Sequence, residues 1–137
     1  TSWVYGLNGN NFVRTMLNLA ELRNEINVVS DQIGAPTYTK DLAAFIVNLV
    51  QTNSYGTYHG VNEGYCSWYE FSKSIFVKTG IEMKVNPIST EDYPTKAKRP
   101  LNSRLSKENT TKAVLDRMPH WEDALTRFIE ELKSQED

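Results

Sequence analysis

The fold class of this chain is decided near its beginning, by residues 2–20, which read SWVYGLNGNNFVRTMLNLA. Residues 2–5 combine aromatic and β-branched side chains, which favour a strand, and the glycines and asparagines of residues 6–11 favour a loop. From Phe12 onward, apolar side chains recur at helical spacing as far as residues 23–24. The stretch therefore predicts a strand that leads through a loop into a helix.

The same alternation continues along the chain. Short strands are predicted at residues 26–30 and 83–88, and residues 56–62 are strand-like. Parallel strands need a crossover of about a dozen residues, which the intervening helices supply. The pattern therefore predicts an α/β fold with parallel strands. The first strand is expected to lie inside a sheet whose other strands come earlier in a longer protein.

Four further helices are predicted. Thr39 is the expected N-cap of a helix whose wide apolar face should belong to the core. The Ser-x-x-Glu pattern at residues 67–70 predicts a capping box for a helix that ends at residues 79–80. Two C-terminal helices are expected, one around residues 113–115 and the other over residues 121–132.

Composition limits the classes of partner. The 137 residues include 15 Lys and Arg against 17 Asp and Glu, a net charge of −2, which argues against nucleic acid as a partner. No apolar run approaches the ~20 residues of a membrane span, so no membrane partner is expected. A single cysteine, Cys66, with His59 and His120, is too small a set for a Cys/His zinc site. We therefore predict no metal and a reducing, cytoplasmic setting.

Two motifs invite a catalytic or anion-binding interpretation. Residues 6–11 precede a helix N-terminus and could hold a phosphate, but their glycines lack the G-x-G-x-x-G spacing, and a simple turn is the alternative. Tyr69 and Lys73 fit the Tyr-x-x-x-Lys pattern of short-chain dehydrogenases, yet the surrounding apolar stripe explains the same segment as a helix packed on the core.

A third candidate is the polar stretch of residues 89–104, the longest irregular segment of the sequence. It carries Lys96, Lys98 and Arg99. Such a loop can simply be solvated, but the guanidinium fork of an arginine also suits a diphosphate.

Nine short stretches, taken in order, resemble the C-terminal half of the dTDP-4-dehydrorhamnose reductase family of extended short-chain dehydrogenases. They are TSWVYG (1–6), GNNFV (9–13), DQIGAPT (31–37), DLA (41–43), GTYH (56–59), SWYEF (67–71), YPT (93–95), KRPLNS (98–103) and WEDAL (121–125). The resemblance implies that residues 1–137 form the substrate-binding portion of a Rossmann-type fold. Residues 1–30 would complete its sheet, and the N-terminal dinucleotide-binding half is missing.

The resemblance also implies an activity for the whole protein. Members of the family reduce the 4-keto group of dTDP-4-dehydro-L-rhamnose with NADPH or NADH, giving dTDP-L-rhamnose for cell-surface polysaccharide. Their catalytic Tyr-x-x-x-Lys lies upstream of the position that matches Thr1. Tyr69 and Lys73 therefore do not inherit that role, and this chain alone is expected to contain no catalytic residue, to bind no NADPH or NADH and to be inactive.

Six substrate-binding residues are implied by the resemblance: Trp3, Asn10, Asn11, Phe12, Gln32 and Arg99. Trp3 would pack against the deoxyhexose, and residues 10–12 would lie near the nucleotide sugar. Gln32 and Arg99 would contact the ribose and the diphosphate.

Two alternatives stay open. The parent could be a non-catalytic regulator similar to the β-subunit of methionine adenosyltransferase, or a related nucleotide-sugar epimerase or reductase that acts on another hexose. The expected partners are a dTDP-sugar and the missing N-terminal half. The uncovered sheet edge at Trp3 and Val4 further predicts self-association, as in a homo-oligomer.

Overall fold

A computed structural model describes residues 1–113 and 115–135 of the protein. Its strands are β1 (Val4–Tyr5), β2 (Glu25–Val29), β3 (Ile33–Gly34), β4 (Thr37–Tyr38), β5 (Cys66–Ser67) and β6 (Lys84–Ile88). Its helices are α1 (Phe12–Leu22), α2 (Thr39–Val50), α3 (Trp68–Thr79), α4 (Glu108–Lys112) and α5 (Trp121–Ser134).

The strands pair in three short ribbons. β1 pairs with β4 and β2 with β6, both in parallel, and β3 pairs with β5 in the antiparallel sense. In both parallel pairs the connection between the strands contains at least one helix, as parallel pairing requires. The predicted α/β fold with parallel strands is confirmed.

Capping residues set the predicted helix starts. Asn11 caps α1, because its side-chain oxygen accepts the Arg14 backbone N–H at 3.2 Å. Ser67 and Glu70 form the predicted capping box of α3. The Ser67 hydroxyl accepts the Glu70 N–H at 3.1 Å, and the Glu70 carboxylate accepts the Ser67 N–H at 2.7 Å. Gly80, with φ of 73°, ends α3 in the left-handed conformation that glycine adopts without strain.

The prediction for α2 is wrong in two respects. Thr39 is its first helical residue and not its N-cap, because the cap position falls on Tyr38, the last residue of β4. The apolar face is also only partly buried. Phe45 is buried, but Ile46 is 48% exposed and Val50 is 72% exposed. An apolar stripe at helical spacing identifies the face that can be buried, but neighbouring elements decide how much of it is covered.

Two other predicted elements are absent from the described residues. Residues 56–62 form no strand, although Val61 and Asn62 are buried. The Asn62 side chain instead replaces a strand partner, since its oxygen accepts the Tyr38 N–H at 2.8 Å. The helix predicted around residues 113–115 lies earlier, as α4, and Val114 is outside the described residues.

Aromatic rings form the centre of the core. Tyr5 of β1 packs edge-on against Phe128 of α5, with 5.2 Å between ring centroids. It also packs, in a tilted arrangement, against Phe71 of α3, with 5.6 Å between centroids. Tyr38 of β4 stacks on Tyr5 at 5.7 Å. β1, β4, α3 and α5 all contribute rings to this cluster. The pairing of the two strands and the packing of the two helices therefore depend on the same contacts.

A charge pair with a buried carboxylate joins α2 to α5 beside this core. Arg127 donates two hydrogen bonds, each of 2.8 Å, to the carboxylate of Asp41, whose side chain is only 8% exposed. Asn62 donates to the same carboxylate at 2.7 Å. Arg127 also contacts Asp123 at 2.9 Å, but Asp123 is exposed. The two carboxylates therefore share one arginine in different surroundings.

Replacement of Asp41 by Ala should lower the free energy of unfolding by about 2–4 kcal/mol, because Arg127 loses two charge-assisted hydrogen bonds and the fully buried Asn62 loses one. Asp123→Ala is the matched control, and it should cost less than about 1 kcal/mol, as exposed ion pairs do. Urea denaturation of both variants measures the difference. Equal losses would show that burial does not distinguish the two pairs.

Candidate functional site

The segment of residues 31–34 lies between two other extended segments. On one side, β3 pairs with β5, with Gly34 opposite Cys66. On the other side, the Ile33 N–H donates to the Leu101 carbonyl at 2.8 Å, and the Ser103 N–H donates to the Ile33 carbonyl at 2.7 Å. β3 is therefore the middle of three short extended segments, and residues 101–103 close the long polar loop onto it.

Trp3 is held against this segment in an unusual conformation. Its φ of 50° lies in the left-handed region, which few residues other than glycine adopt. Its carbonyl accepts the Thr37 N–H at 3.0 Å. Its indole lies against Gly34, where an added β-carbon would come within 2.6 Å of Cε2 and 2.7 Å of Cζ2. Glycine is required at position 34, because any side chain there would collide with the ring.

Trp68, the first residue of α3, covers the indole of Trp3. The two ring centroids are 3.6 Å apart and the ring planes differ by 14°, so the overlap leaves little of that face free. Gly34 accordingly lies on the opposite face. A ligand can reach the edge of Trp3 in this arrangement. Flat stacking of a sugar on Trp3 would require Trp68 to move.

The loop before α1 is closed by its own side chains. Asn11 donates from Nδ2 to the Gly6 carbonyl at 2.9 Å while it caps the helix, so both ends of its amide are used. Phe12 packs on Trp68, with 4.5 Å between centroids. Asn10 is exposed in the same loop. The turn interpretation accounts for these contacts, and the anion-binding interpretation stays a prediction.

Thr90 connects residues 31 and 32 to the start of the polar loop. Its hydroxyl donates to the Asp31 carboxylate at 2.6 Å and accepts from Nε2 of Gln32 at 3.1 Å. Its N–H donates to both Asp31 oxygens, at 3.0 and 3.1 Å. These hydrogen bonds favour the charged form and hold the pKa of the Asp31 carboxyl below its ordinary value.

We call residues 91–100 the basic loop. All ten residues are exposed, including Lys96, Lys98 and Arg99. The loop leaves the fold after Thr90 and returns at Leu101, two residues beyond Arg99. The cations are therefore at the surface, on a loop whose two ends are fixed to the segment that holds Trp3.

Ordinary structural contacts account for the remaining candidate residues. Lys73 lies 5.3 Å from the ring centre of Tyr69 on the same helix, an ordinary contact between helical neighbours. Nδ1 of His59 is 2.8 Å from the Ser106 carbonyl, and His120 caps α5 by accepting the Glu122 N–H at 3.3 Å. All four residues therefore have structural contacts.

Burial raises the pKa of the Cys66 thiol, which disfavours the reactive thiolate. The described residues contain no group of three or more His, Cys, Asp and Glu side chains placed to hold a metal ion. Within the same part of the chain, no helix is both long enough and apolar enough to cross a membrane.

A dTDP-4-dehydrorhamnose reductase from Clostridium acetobutylicum superposes with a TM-score of 0.93 at 42% identity, over 96% of this chain and 47% of that one. The corresponding enzyme from Bacillus anthracis, solved with NADP, gives 0.90 at 47% identity, over 95% and 46%. The architecture is therefore that of the extended short-chain dehydrogenases.

Sequence comparison gives the family. Residues 1–134 match the family model described as the RmlD substrate binding domain, and the chain belongs to that family. A spore coat polysaccharide biosynthesis protein, SpsK of Bacillus subtilis, is 48% identical over 98% of this chain and 47% of its own length. The dTDP-4-dehydrorhamnose reductase of Escherichia coli K12 is 41% identical, over 96% and 48%. The chain thus spans about half the length of the curated relatives it matches.

The structure brings together most of the residues singled out in the sequence. Trp3 and Phe12 both contact Trp68, and Gln32 is two residues from Gly34, on which Trp3 lies. Arg99 belongs to the basic loop that closes on the same segment, and Asn10 and Asn11 lie in the loop before Phe12. Sequence reasoning missed three residues that organise this region: Gly34, Trp68 and Thr90. Gly34 and Trp68 belong to stretches that carry the family resemblance, whereas Thr90 lies outside them.

The Trp3–Trp68 stack should give a spectroscopic signature that a mutation at Gly34 removes. Stacked indoles couple electronically, so the protein should show an exciton couplet in its circular dichroism spectrum. Gly34→Ala should abolish the couplet, because the new methyl group must displace Trp3. Trp121→Phe is the control and should keep it, since that ring lies outside the stack. A couplet that survives in Gly34→Ala would contradict the described position of Trp3.

Proposed function

We propose that this chain is the substrate-binding portion of a dTDP-4-dehydrorhamnose reductase, which reduces dTDP-4-dehydro-L-rhamnose to dTDP-L-rhamnose. Membership of the RmlD substrate-binding family supports the substrate class. The observation that carries the proposal is that residues 31–34 contact both Trp3 and the ends of the basic loop. An aromatic side chain on this segment, and a loop with three cations whose ends the segment holds, suit a ligand that has an apolar-faced deoxyhexose at one end and a diphosphate beside it.

The proposed binding roles follow from this arrangement. Arg99 pairs with the diphosphate, for which its guanidinium supplies several donors in a fixed plane. The edge of Trp3 meets the deoxyhexose and its 6-methyl group. Gln32 is the candidate for the ribose, which lies on the far side of the diphosphate from the deoxyhexose, although its amide nitrogen already donates to Thr90.

The loop before α1 has a supporting role in this proposal. The Asn11 side chain is committed to the helix cap, so its contribution to a ligand would come from the backbone. Asn10 is exposed and can offer its amide. Phe12 acts by supporting Trp68.

The chemistry of reduction lies outside the residues described. NADPH or NADH supplies the hydride in the proposed reaction, and a dinucleotide normally lies on a glycine-rich loop with G-x-G-x-x-G spacing. The glycines of residues 6–11 lack that spacing, so this portion does not fit the cofactor. The substrate half therefore binds and orients the sugar nucleotide in a longer, cytoplasmic enzyme. The N-terminal half of that enzyme would cover the half-exposed edge of β1, or a second copy would do so.

A second candidate is a reductase that acts on another dTDP-hexose. A relative from Streptomyces niveus, 36% identical over 99% of this chain, carries the name dTDP-4-keto-6-deoxy-D-glucose reductase. The nucleotide and diphosphate contacts would be shared by the two activities. The sugar-facing side of Trp3 would decide between them.

Calorimetric titration of this chain with dTDP tests the proposal. Arg99→Ala should weaken dTDP binding about ten- to a hundredfold, because a charge-assisted contact is worth about 1.5–3 kcal/mol. Arg23→Ala is the matched control. It removes an exposed arginine just past the far end of α1, roughly 16 Å from Phe12, and should leave the affinity unchanged. Equal dTDP affinities of the wild-type chain and Arg99→Ala would show that Arg99 does not bind the diphosphate and that the basic loop is only a solvated surface loop.

A second titration, with dTDP-L-rhamnose, separates the sugar from the nucleotide. Trp3→Ala should weaken binding of the sugar nucleotide about tenfold and leave dTDP binding nearly unchanged. A parallel loss for both ligands would show that Trp3 only supports the fold of β1.

A further inference from the structure

We propose that Asp31 is a positioning residue: with Gln32 it anchors the basic loop through Thr90 and so places Arg99 for the diphosphate. This inference rests on the function proposed for Arg99. The experiments below distinguish its failure from the failure of that function.

The anchor at the start of the basic loop uses both the backbone N–H and the hydroxyl of Thr90. The Asp31 carboxylate accepts the Thr90 N–H at 3.0 and 3.1 Å and the Thr90 hydroxyl at 2.6 Å. The Gln32 amide completes the set by donating to that hydroxyl at 3.1 Å. Only a hydroxyl can donate to one neighbour and accept from the other, so serine can replace Thr90 but valine cannot.

The anchor at the end of the basic loop is formed by the next residue, Ile33. Its N–H and carbonyl hold Leu101 and Ser103 at 2.8 and 2.7 Å. Three consecutive residues, 31–33, thus fix both ends of a ten-residue loop that is exposed throughout. A loop whose ends are fixed has less conformational freedom to lose when it binds a ligand, so the anchors should raise affinity without touching the ligand.

The negative charge of Asp31 allows a test, because repulsion and anchoring predict opposite effects of its removal on dTDP affinity. A carboxylate beside a diphosphate site repels the ligand, so by electrostatics alone Asp31→Asn should strengthen dTDP binding. If Asp31 anchors the loop, the same substitution should weaken binding. Asp92→Asn is the matched control, because Asp92 is an exposed carboxylate of the basic loop whose hydrogen bonds go to Ser89, three residues earlier, and not to residues 31–33.

The first experiment measures the anchor without ligand. Trypsin can cut after Lys96 and Lys98. A protease binds its substrate as an extended segment, and a loop whose two ends are fixed adopts that conformation less readily than a loop with a free end. Asp31→Asn and Thr90→Val should each speed cleavage of the loop about tenfold, whereas Thr90→Ser and Asp92→Asn should stay close to the wild-type rate. Unchanged cleavage in Asp31→Asn and Thr90→Val overturns the anchoring.

The second experiment measures the consequence for binding. Asp31→Asn and Thr90→Val should weaken dTDP binding about five- to tenfold in calorimetry, Thr90→Ser should restore it, and Asp92→Asn should leave it equal or tighter. Faster cleavage combined with unchanged or tighter dTDP binding overturns the positioning role. If Arg99→Ala leaves dTDP affinity unchanged, the function proposed for Arg99 fails and the placement fails with it, while the cleavage rates alone still decide the anchoring.

Discussion

The rest of the structure depends on the hydrogen bonds made by one extended segment, residues 31–38. Its first three residues hold both ends of the basic loop, and Gly34 supports the indole of Trp3. The Thr37 N–H binds the Trp3 carbonyl, and the Tyr38 N–H binds the Asn62 side chain. Short strands are marginal by themselves, so this segment is stable because each of its neighbours satisfies a different part of its backbone.

This constraint explains why Trp3 can adopt a strained conformation. A left-handed tryptophan costs about 1–3 kcal/mol, and such strain persists only where the surroundings fix the residue. Here a stacked Trp68, a glycine on the other face and a backbone hydrogen bond to Thr37 do so. Strained residues cluster at binding sites, which is consistent with the proposed contact between Trp3 and the sugar.

The sequence predicts the elements that have strong local signals, and it misses those that are made by tertiary contact. α1 follows from the apolar spacing that begins at Phe12, and α3 follows from the Ser67–Glu70 capping box. β3 and β5, with two residues each, are too short to show the alternation that predicts a strand. The candidate site shows the same division. The family resemblance implies which residues belong to the site, but it does not predict the stacking on Trp68 or the hydrogen bonds to Thr90, which join residues distant in sequence.

Native-state hydrogen exchange tests the central claim, that residues 31–38 join the basic loop and Trp3 in one unit. The relevant amides are those of Ile33, Thr37, Tyr38 and Ser103, each a donor in this set of hydrogen bonds. If the segment is one cooperative unit, all four should open with the same free energy, within about 0.5 kcal/mol. Exchange of Ile33 and Ser103 at the rate of an exposed loop, while Thr37 and Tyr38 stay protected, would show that the basic loop is independent of Trp3 and would contradict the account.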